Sequence, residues 1–240
     1  GEAICAVVAE SRAIAEDAVE LIEVDYDPLP VVSDPRMGEK DASALVHDSC
    51  TNNYLIKREY ERGNVDEAMK AAHLVVKRKF RIGRKQALCL ESRGCVAAYR
   101  ESTFALTVWM SHQLPYVVRH YLGKHLGLHE NEVRVIAPHT GGGFGQKASI
   151  YPEEFVCAHL ALALRRPVKW VEDRLENMVA STHARDQYIE LQAAVDREGH
   201  LMALSSDIWV DVGAYSTYLW SAGMEPLQTA GLMPGPYKVP

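Results

Sequence analysis

A strand pattern, a cluster of glycines and a helix pattern follow one another within residues 133–166. Residues 133–138 alternate branched apolar and polar side chains, which favours a short, half-buried strand. Four of the five residues 141–145 are glycine, and Phe144 is the exception. Pro152 and the two glutamates after it are typical of the first turn of a helix. Because glycine allows positive φ and close approach of the backbone, this order predicts a loop whose N–H groups bind an anion.

The loop departs from the common nucleotide-binding patterns. A P-loop needs glycine before its lysine and serine or threonine after it, whereas Lys147 lies between Gln146 and Ala148. A dinucleotide fingerprint starting at Gly141 would require glycine, not glutamine, at position 146. The residues alone leave two interpretations: a site for another anion, or a tight structural turn between a strand and a helix.

Composition excludes several classes of protein. The chain has 240 residues, of which 48% are hydrophobic, enough for a substantial core. A net charge of −6 argues against nucleic-acid binding. No apolar run approaches the length of a membrane span, and the first residues do not read as a signal peptide, so we expect a cytoplasmic protein.

The five cysteines are scattered and form no C-x-x-C pair. We therefore expect free thiols in a reducing compartment and no zinc or iron–sulfur site within this chain. The chain opens with Gly1 inside an apolar run and stops at Pro240 directly after a turn-like Pro-Gly-Pro. From this we expect an internal fragment of a longer protein.

Strand and helix patterns mix along the chain without strict alternation, which predicts an α+β fold. Helices are predicted after Ser11 as N-cap, around 64–73, at 116–126 and at 152–166. Strands are predicted at 3–9, 24–26, 74–82, 96–99, 105–110, 133–138, 168–171, 188–195 and 201–212. Residues 33–62 show little periodicity and indicate a linker.

The glycine loop, Gly141-Gly-Gly-Phe-Gly-Gln-Lys147, resembles that of the molybdenum hydroxylases, the family of xanthine dehydrogenase, aldehyde oxidase and aerobic CO dehydrogenase. In that family it belongs to the large, molybdopterin-binding subunit. Further segments resemble the same subunit in the same order: 6–10, 26–30, Leu90-Glu-Ser-Arg-Gly-Cys-Val96, Trp109-Met-Ser-His-Gln-Leu-Pro115, 166–174, 182–186 and Gly235-Pro-Tyr-Lys-Val-Pro240. The resemblance spans almost the whole chain.

The resemblance implies a division into domains. Residues 1–32 would be the C-terminal piece of a small α/β hammerhead-like domain, and residues 33–62 the linker. Residues 63–240 would be the N-terminal part of a mixed molybdopterin-binding domain.

Five residues are candidate cofactor contacts by resemblance. Gln113, in Ser111-His-Gln113, matches a pattern whose glutamine donates a hydrogen bond to an oxo group of molybdenum; from the residues alone it could equally cap a strand end. Phe144 would line the substrate pocket, or else fill space between strand and helix. The backbone would approach the pterin and the oxo groups at Gly142, Gly143 and Gly145. None of the five is expected to bind the metal directly.

Two positions depart from the family pattern. Gln146 replaces a commoner glycine, and Ala148 stands where purine-oxidising members have glutamate. Because a methyl group cannot accept hydrogen bonds from a purine, an aldehyde, an N-heterocycle or a similar small molecule is expected rather than xanthine. Elsewhere, Glu91 and Arg93 are expected to form a structural ion pair, and Asp186 with its neighbours a hydrogen-bonded cluster.

The leading hypothesis is part of a molybdenum hydroxylase that oxidises its substrate with oxygen derived from water. The cofactor would be molybdenum with a pyranopterin, either molybdopterin or its cytosine dinucleotide. Electrons would pass to iron–sulfur and flavin (FAD) centres on partner domains or subunits, and Gln113 would act beside a general-base glutamate beyond residue 240. The alternative is a non-enzymatic anion-binding or assembly module with a structural glycine turn. Substrate, electron acceptor and subunit arrangement stay open.

Overall fold

In the computed structural model, which describes residues 2–39, 44–216 and 221–240, the chain folds as two compact units. One unit comprises residues 1–27 and 86–183, and the other comprises 28–85 and 184–240. The described helices are α1 (Arg12–Glu20), α2 (Val65–Ala71), α3 (Pro115–Leu126), α4 (Pro152–Leu164), α5 (Arg174–Ala180) and α6 (Ser221–Leu232). The described strands are β1 (Leu74–Ile82), β2 (Gly94–Arg100), β3 (Ala105–Met110), β4 (Val133–Ile136), β5 (Val168–Val171), β6 (Gln187–Val195) and β7 (Leu201–Val210). The α+β class predicted from the sequence is confirmed.

The unit of residues 1–27 and 86–183 is built on a four-stranded sheet in the order β4-β3-β2-β5. β2 pairs antiparallel with β3 and with β5, and β3 pairs parallel with β4 through α3 as the crossover. Alternate residues of β2 and β3 are buried against α3 and α4, and with them they form the core: Cys95, Ala97, Leu106, Val108, Met110, Val118, Leu122, Cys157, Ala158 and Ala161. Because β3 and β4 are parallel, the segments that follow them leave the sheet at the same edge.

The other unit contains a three-stranded antiparallel sheet in the order β1-β6-β7. β1 runs over the residues predicted from the sequence, 74–82, and pairs in full register with β6. α2 begins after Asn64, whose side-chain oxygen accepts a hydrogen bond from the Glu67 N–H at 3.2 Å. α2 and α6 both pack on β7. β7 ends at Val210, two residues earlier than predicted.

The strands predicted at 3–9 and 24–26 are wrong. Within the described residues 2–27 only α1 forms, with the Ser11 side chain accepting from the Ile14 N–H as predicted for its N-cap. Side chains on both flanks, such as Ile4 and Tyr26, are exposed. A strand is stable only when its backbone pairs with a neighbour, and the apolar pattern of these segments carries no information about a partner.

Two helices were missed by the sequence patterns. α5 is introduced by a capping box in which Asp173 and Glu176 bond reciprocally to backbone N–H groups, so a local signal was present. α6 contains Pro226, which reads as a helix breaker. None of the helices in the described ranges is long and apolar enough to cross a membrane. The domain division at residues 32 and 62 stays a prediction.

Candidate functional site

The glycine loop leaves the sheet after β4 and ends in a single 3-10 turn, Gln146–Ala148, before α4. Three residues of the loop have positive φ: Gly142 (+94°), Phe144 (+48°) and Gly145 (+89°). Left-handed backbone at alternating and adjacent positions curls a chain tightly, which is the geometry of loops whose N–H groups bind anions. Within the described chain, no atom accepts a hydrogen bond from the N–H groups of residues 142–144. These donors are therefore available to an anionic or oxo-bearing ligand.

Gln113 lies directly beside this loop. It follows β3 in the chain, and the parallel pairing of β3 with β4 brings the two strand exits together. The Gly145 N–H donates to Gln113 Oε1 at 3.0 Å, and the Gln113 N–H donates to the Lys147 carbonyl at 2.9 Å. Because Oε1 is the acceptor, the Nε2 group is the end of the amide left to donate to a ligand. The structure thus brings together all five candidate residues.

Gly143 is required by this arrangement for its small size rather than for positive φ. A Cβ built at Gly143 would lie 2.5 Å from Oε1 and 2.6 Å from Cδ of Gln113. Contacts below 3.0 Å force one partner to move, so any side chain here would push the Gln113 amide away. Gly145 has open space around its Cβ position but a φ of +89°, so its constraint is conformational.

Phe144 does not fill the space between β4 and α4. Its side chain is 78% exposed, and its φ of +48° is rare for a residue with a Cβ. The ring lies close to Gly142, where an added Cβ would come within 2.9 Å of Phe144 Cε2.

An ionic cluster of a buried lysine and a partly exposed carboxylate is attached to the loop, and the sequence patterns did not find it. Glu91 Oε2 accepts from Lys147 Nζ at 2.8 Å, from Ser111 Oγ at 2.7 Å and from the Gly141 N–H at 2.7 Å. The Lys147 side chain is completely buried, and its Nζ also donates to Ser111 Oγ. Partial burial alone would raise the pKa of Glu91, but the three hydrogen bonds together hold it below its usual value.

The predicted pair of Glu91 with Arg93 is therefore wrong. Arg93 instead bonds to Glu172 through its Nε at 3.0 Å and through an Nη, with both side chains almost fully buried. Its guanidinium also stacks 3.7 Å from the centre of the Tyr151 ring. Residues 91 and 93 both precede β2, and their side chains bond to different partners, which spacing in the sequence does not reveal.

Gln146, the departure from the family pattern, is buried and attached to α5. Its Nε2 donates to Ser181 Oγ at 2.6 Å, and its Oε1 accepts from Asn177 Nδ2 at 3.5 Å. Asn177 Nδ2 also donates to Glu172 Oε2 at 2.7 Å. A glutamine at 146 thus joins the loop to the Arg93–Glu172 pair. Ala148, in the same 3-10 turn, is 3% exposed and offers no hydrogen-bonding group.

The predicted cluster of Asp186 with Arg185 and His183 does not form, because each of the three bonds to a residue outside the set. Asp186 pairs with Arg84 Nη2 at 3.5 Å, whereas the Arg185 side chain pairs with Glu225 at 2.8 Å. His183 Nε2 contacts the Met178 carbonyl at 3.1 Å. Each of these contacts is structural hydrogen bonding, as expected.

Comparison of the sequence with known proteins matches this chain to one family. The profile of a family described as a molybdopterin cofactor-binding domain matches residues 46–240. A nicotine 6-hydroxylase large subunit from Paenarthrobacter nicotinovorans is 39% identical over 100% of this chain and 29% of its own length. The carbon monoxide dehydrogenase large chain of Afipia carboxidovorans is 36% identical over 98% of this chain and 30% of its own length.

A solved structure is similar over nearly the whole chain. Quinoline 2-oxidoreductase from Pseudomonas putida 86 superimposes with a TM-score of 0.91 at 38% identity, covering 97% of this chain and 29% of that protein. This chain thus spans about 30% of the length of these relatives.

Proposed function

The chain belongs to the molybdopterin cofactor-binding domain family, and from this premise we propose that it works as part of the large subunit of a molybdenum hydroxylase. Such an enzyme oxidises a small molecule with oxygen derived from water. The observation that carries the proposal is the glycine loop, where the N–H groups of residues 142–144 and the amide of the adjacent Gln113 have no acceptor among the described residues.

The residues present fit a molybdenum–pterin cofactor. The N–H groups of residues 142–144 and Gln113 Nε2 are hydrogen-bond donors, which suit the oxo and phosphate oxygens of such a group. Bound there, the cofactor would supply a two-electron redox centre at which water is activated. Gln113 would orient one of its oxygens without protonating it, because an amide is not an acid at neutral pH.

For the substrate we propose a nitrogen-containing aromatic ring. Phe144 presents an exposed aromatic face at the loop tip, which favours stacking with a flat ring. Ala148 offers no hydrogen-bond acceptor for a purine. Two of the similar proteins are named for nicotine and for quinoline, both N-heteroaromatic molecules. An aldehyde is the second candidate.

The general base is proposed to be a glutamate outside residues 1–240. Glu91 is the carboxylate nearest to the loop, and its bonds to Lys147, Ser111 and Gly141 lower its pKa. A carboxylate stabilised in this way is a weak base, and its three hydrogen bonds fix it in place beside the loop.

Electrons are proposed to leave through iron–sulfur and flavin (FAD) centres on partner domains or subunits. The cysteines of this chain are free thiols. Cys5 and Cys50 are exposed, Cys89 is buried, and Cys95 and Cys157 are buried in the core. The similar proteins carry names such as large subunit and large chain, which support a multi-subunit assembly.

The test is metal and product analysis of the full-length protein purified with its natural partners. We expect about one molybdenum and one pterin per large subunit, and hydroxylation of quinoline or nicotine with a dye as acceptor. Oxygen from 18O-labelled water should appear in the product. Protein from molybdate-supplied cells that contained neither molybdenum nor pterin would refute the proposal and favour the anion-binding module.

A further inference from the structure

His112 lies between Ser111 and Gln113, at the point where the chain leaves β3, and it has no role in the site described so far. Its side chain is buried, with 2% of the residue exposed. Both ring nitrogens are bonded to backbone: Nε2 lies 3.0 Å from the Ser149 carbonyl oxygen, and Nδ1 lies 3.0 Å from the Leu114 nitrogen.

These two partners determine the tautomer of the ring. The Leu114 N–H can only donate, so Nδ1 must be the acceptor; the Ser149 carbonyl can only accept, so Nε2 must carry the proton. The ring is therefore neutral with its hydrogen on Nε2. Burial, which lowers the pKa of His112, favours the same uncharged form.

The two bonds join the start of α3 to the turn that ends the glycine loop. Leu114 is the N-cap residue of α3, and Ser149 ends the 3-10 turn that follows the glycines. Gln113 directly precedes Leu114; its own N–H donates to the Lys147 carbonyl, and its Oε1 accepts from the Gly145 N–H. Without the imidazole, the Leu114 N–H would lose its acceptor, and the exit of β3 would lose its direct link to Ser149.

We propose that His112 is the positioning residue for Gln113: its neutral ring bridges Leu114 and Ser149, and thereby holds the Gln113 amide at a set distance from the glycine loop. This rests on the proposed function, in which Gln113 Nε2 donates to the cofactor. His112 itself would touch neither cofactor nor substrate. The effect is that of a supporting residue behind a ligand contact, which orients the contact rather than making it.

Three variants of the full-length, partner-bound protein separate the two bonds. His112→Asn can place an oxygen near the Nδ1 position and keep the bond from Leu114, and His112→Gln can place an N–H near the Nε2 position and keep the bond to Ser149. His112→Phe fills the space and removes both bonds. His159→Phe, on the exposed side of α4, is the control for loss of an imidazole.

Each variant is measured for molybdenum and pterin content, for the EPR signal of the bound molybdenum, and for kcat and KM. For His112→Phe we expect retained metal, an altered EPR signal and a fall in kcat on the order of 10–100-fold, with little change in KM. His112→Asn and His112→Gln should each recover part of the wild-type EPR signal and part of the lost kcat. A residue that only fills space would show no such rescue.

A wild-type EPR signal together with wild-type kcat in His112→Phe would overturn the proposal. If that variant does not fold, Asn and Gln carry the test, and equal wild-type behaviour in both would overturn it as well. Failure of the proposed function itself is distinguishable, because it would appear as absence of molybdenum and pterin from the unmutated protein.

Discussion

At the scale of single residues, the site depends on the direction of one amide. Gln113 occurs at a strand exit, where a glutamine could merely cap the strand. The bond from the Gly145 N–H to Oε1, at 3.0 Å, sets which end of the amide faces the loop and which end remains to donate. A single hydrogen bond between residues 32 positions apart thus decides whether Gln113 presents a donor or an acceptor.

The first prediction concerns this donor. Gln113→Ala in the full-length protein should retain molybdenum but slow turnover by roughly 10²–10³-fold, the usual effect of removing one preorganised donor. Metal analysis and steady-state rates provide the measurement, with Gln228→Ala on the exposed side of α6 as the control. Turnover at the wild-type rate would make Gln113 only a cap of the strand end.

The second prediction concerns Gly143. Gly143→Ala places a Cβ 2.5 Å from Gln113 Oε1, so the amide must rotate away and the bond from Gly145 must break. We expect lower molybdenum content and at least the loss of rate seen for Gln113→Ala. Gly231→Ala is the matched control, because no atom lies within 4 Å of its Cβ position. Full metal content with normal turnover in Gly143→Ala would contradict the close packing of loop and amide.

At the scale of elements, the loop is held by what lies under it. Glu91 precedes β2, Ser111 follows β3 and Lys147 lies in the 3-10 turn, so one ionic cluster joins three elements. Gln146 adds a second attachment, to Ser181 at the end of α5. Because both attachments use buried or partly buried polar groups, each is costly to break from one side only.

The third prediction tests the ionic cluster. Lys147→Met removes the buried ammonium and leaves Glu91 and Ser111 without that donor. Since the Glu91 side chain is 42% exposed, water can replace part of the loss, and we expect a decrease in the free energy of unfolding of about 1–3 kcal/mol. Urea denaturation measures it, with Lys70→Met on the exposed side of α2 as the control. Equal midpoints for the two variants would show that the cluster is not stabilising.

The fourth prediction concerns α4. Glu154, in its first turn, is 3% exposed, and burial raises its pKa to about 8. In the unfolded chain the pKa of glutamate is about 4.3. The folded protein therefore holds the proton more tightly, and the stability that this contributes is complete at low pH and is lost as pH rises through about 8.

Glu154→Gln cannot ionise, so it should melt a few degrees above the wild type at about pH 9, and by a smaller margin at about pH 6. Melting curves of the full-length protein at the two pH values provide the measurement. Glu59→Gln, at an exposed position, should show no such trend. A difference that shrank as pH rose would have the wrong sign and would refute the raised pKa.

At the scale of the whole molecule, the chain is two compact α+β units within a family defined by its cofactor. The candidate residues all belong to the unit of residues 1–27 and 86–183. Proteins named for nicotine, quinoline and carbon monoxide are all similar to this chain, so the similarity by itself selects none of these substrates. Under the proposed function, substrate choice would depend on residues around the loop, such as Phe144 and Ala148.

The sequence by itself determined the strand–glycine loop–helix order, the strand β1 and the helices α3 and α4, because short-range periodicity and end signals decide these locally. The run of glycines also predicted close backbone approach at residues 142–145. The same patterns could not tell which apolar segments find a pairing partner: residues 74–82 pair with β6, whereas residues 3–9 form no strand.

Only the tertiary structure decided which side chains meet. The parallel pairing of β3 with β4 brings Gln113 to the glycine loop, and the antiparallel pairing of β2 with β5 brings Arg93 to Glu172. The Glu91–Lys147 pair likewise joins residues that are far apart in the chain. Ion pairs and hydrogen bonds depend on distances of a few ångströms between residues far apart in the chain. Such distances follow from how elements pack, and no spacing within the sequence contains them.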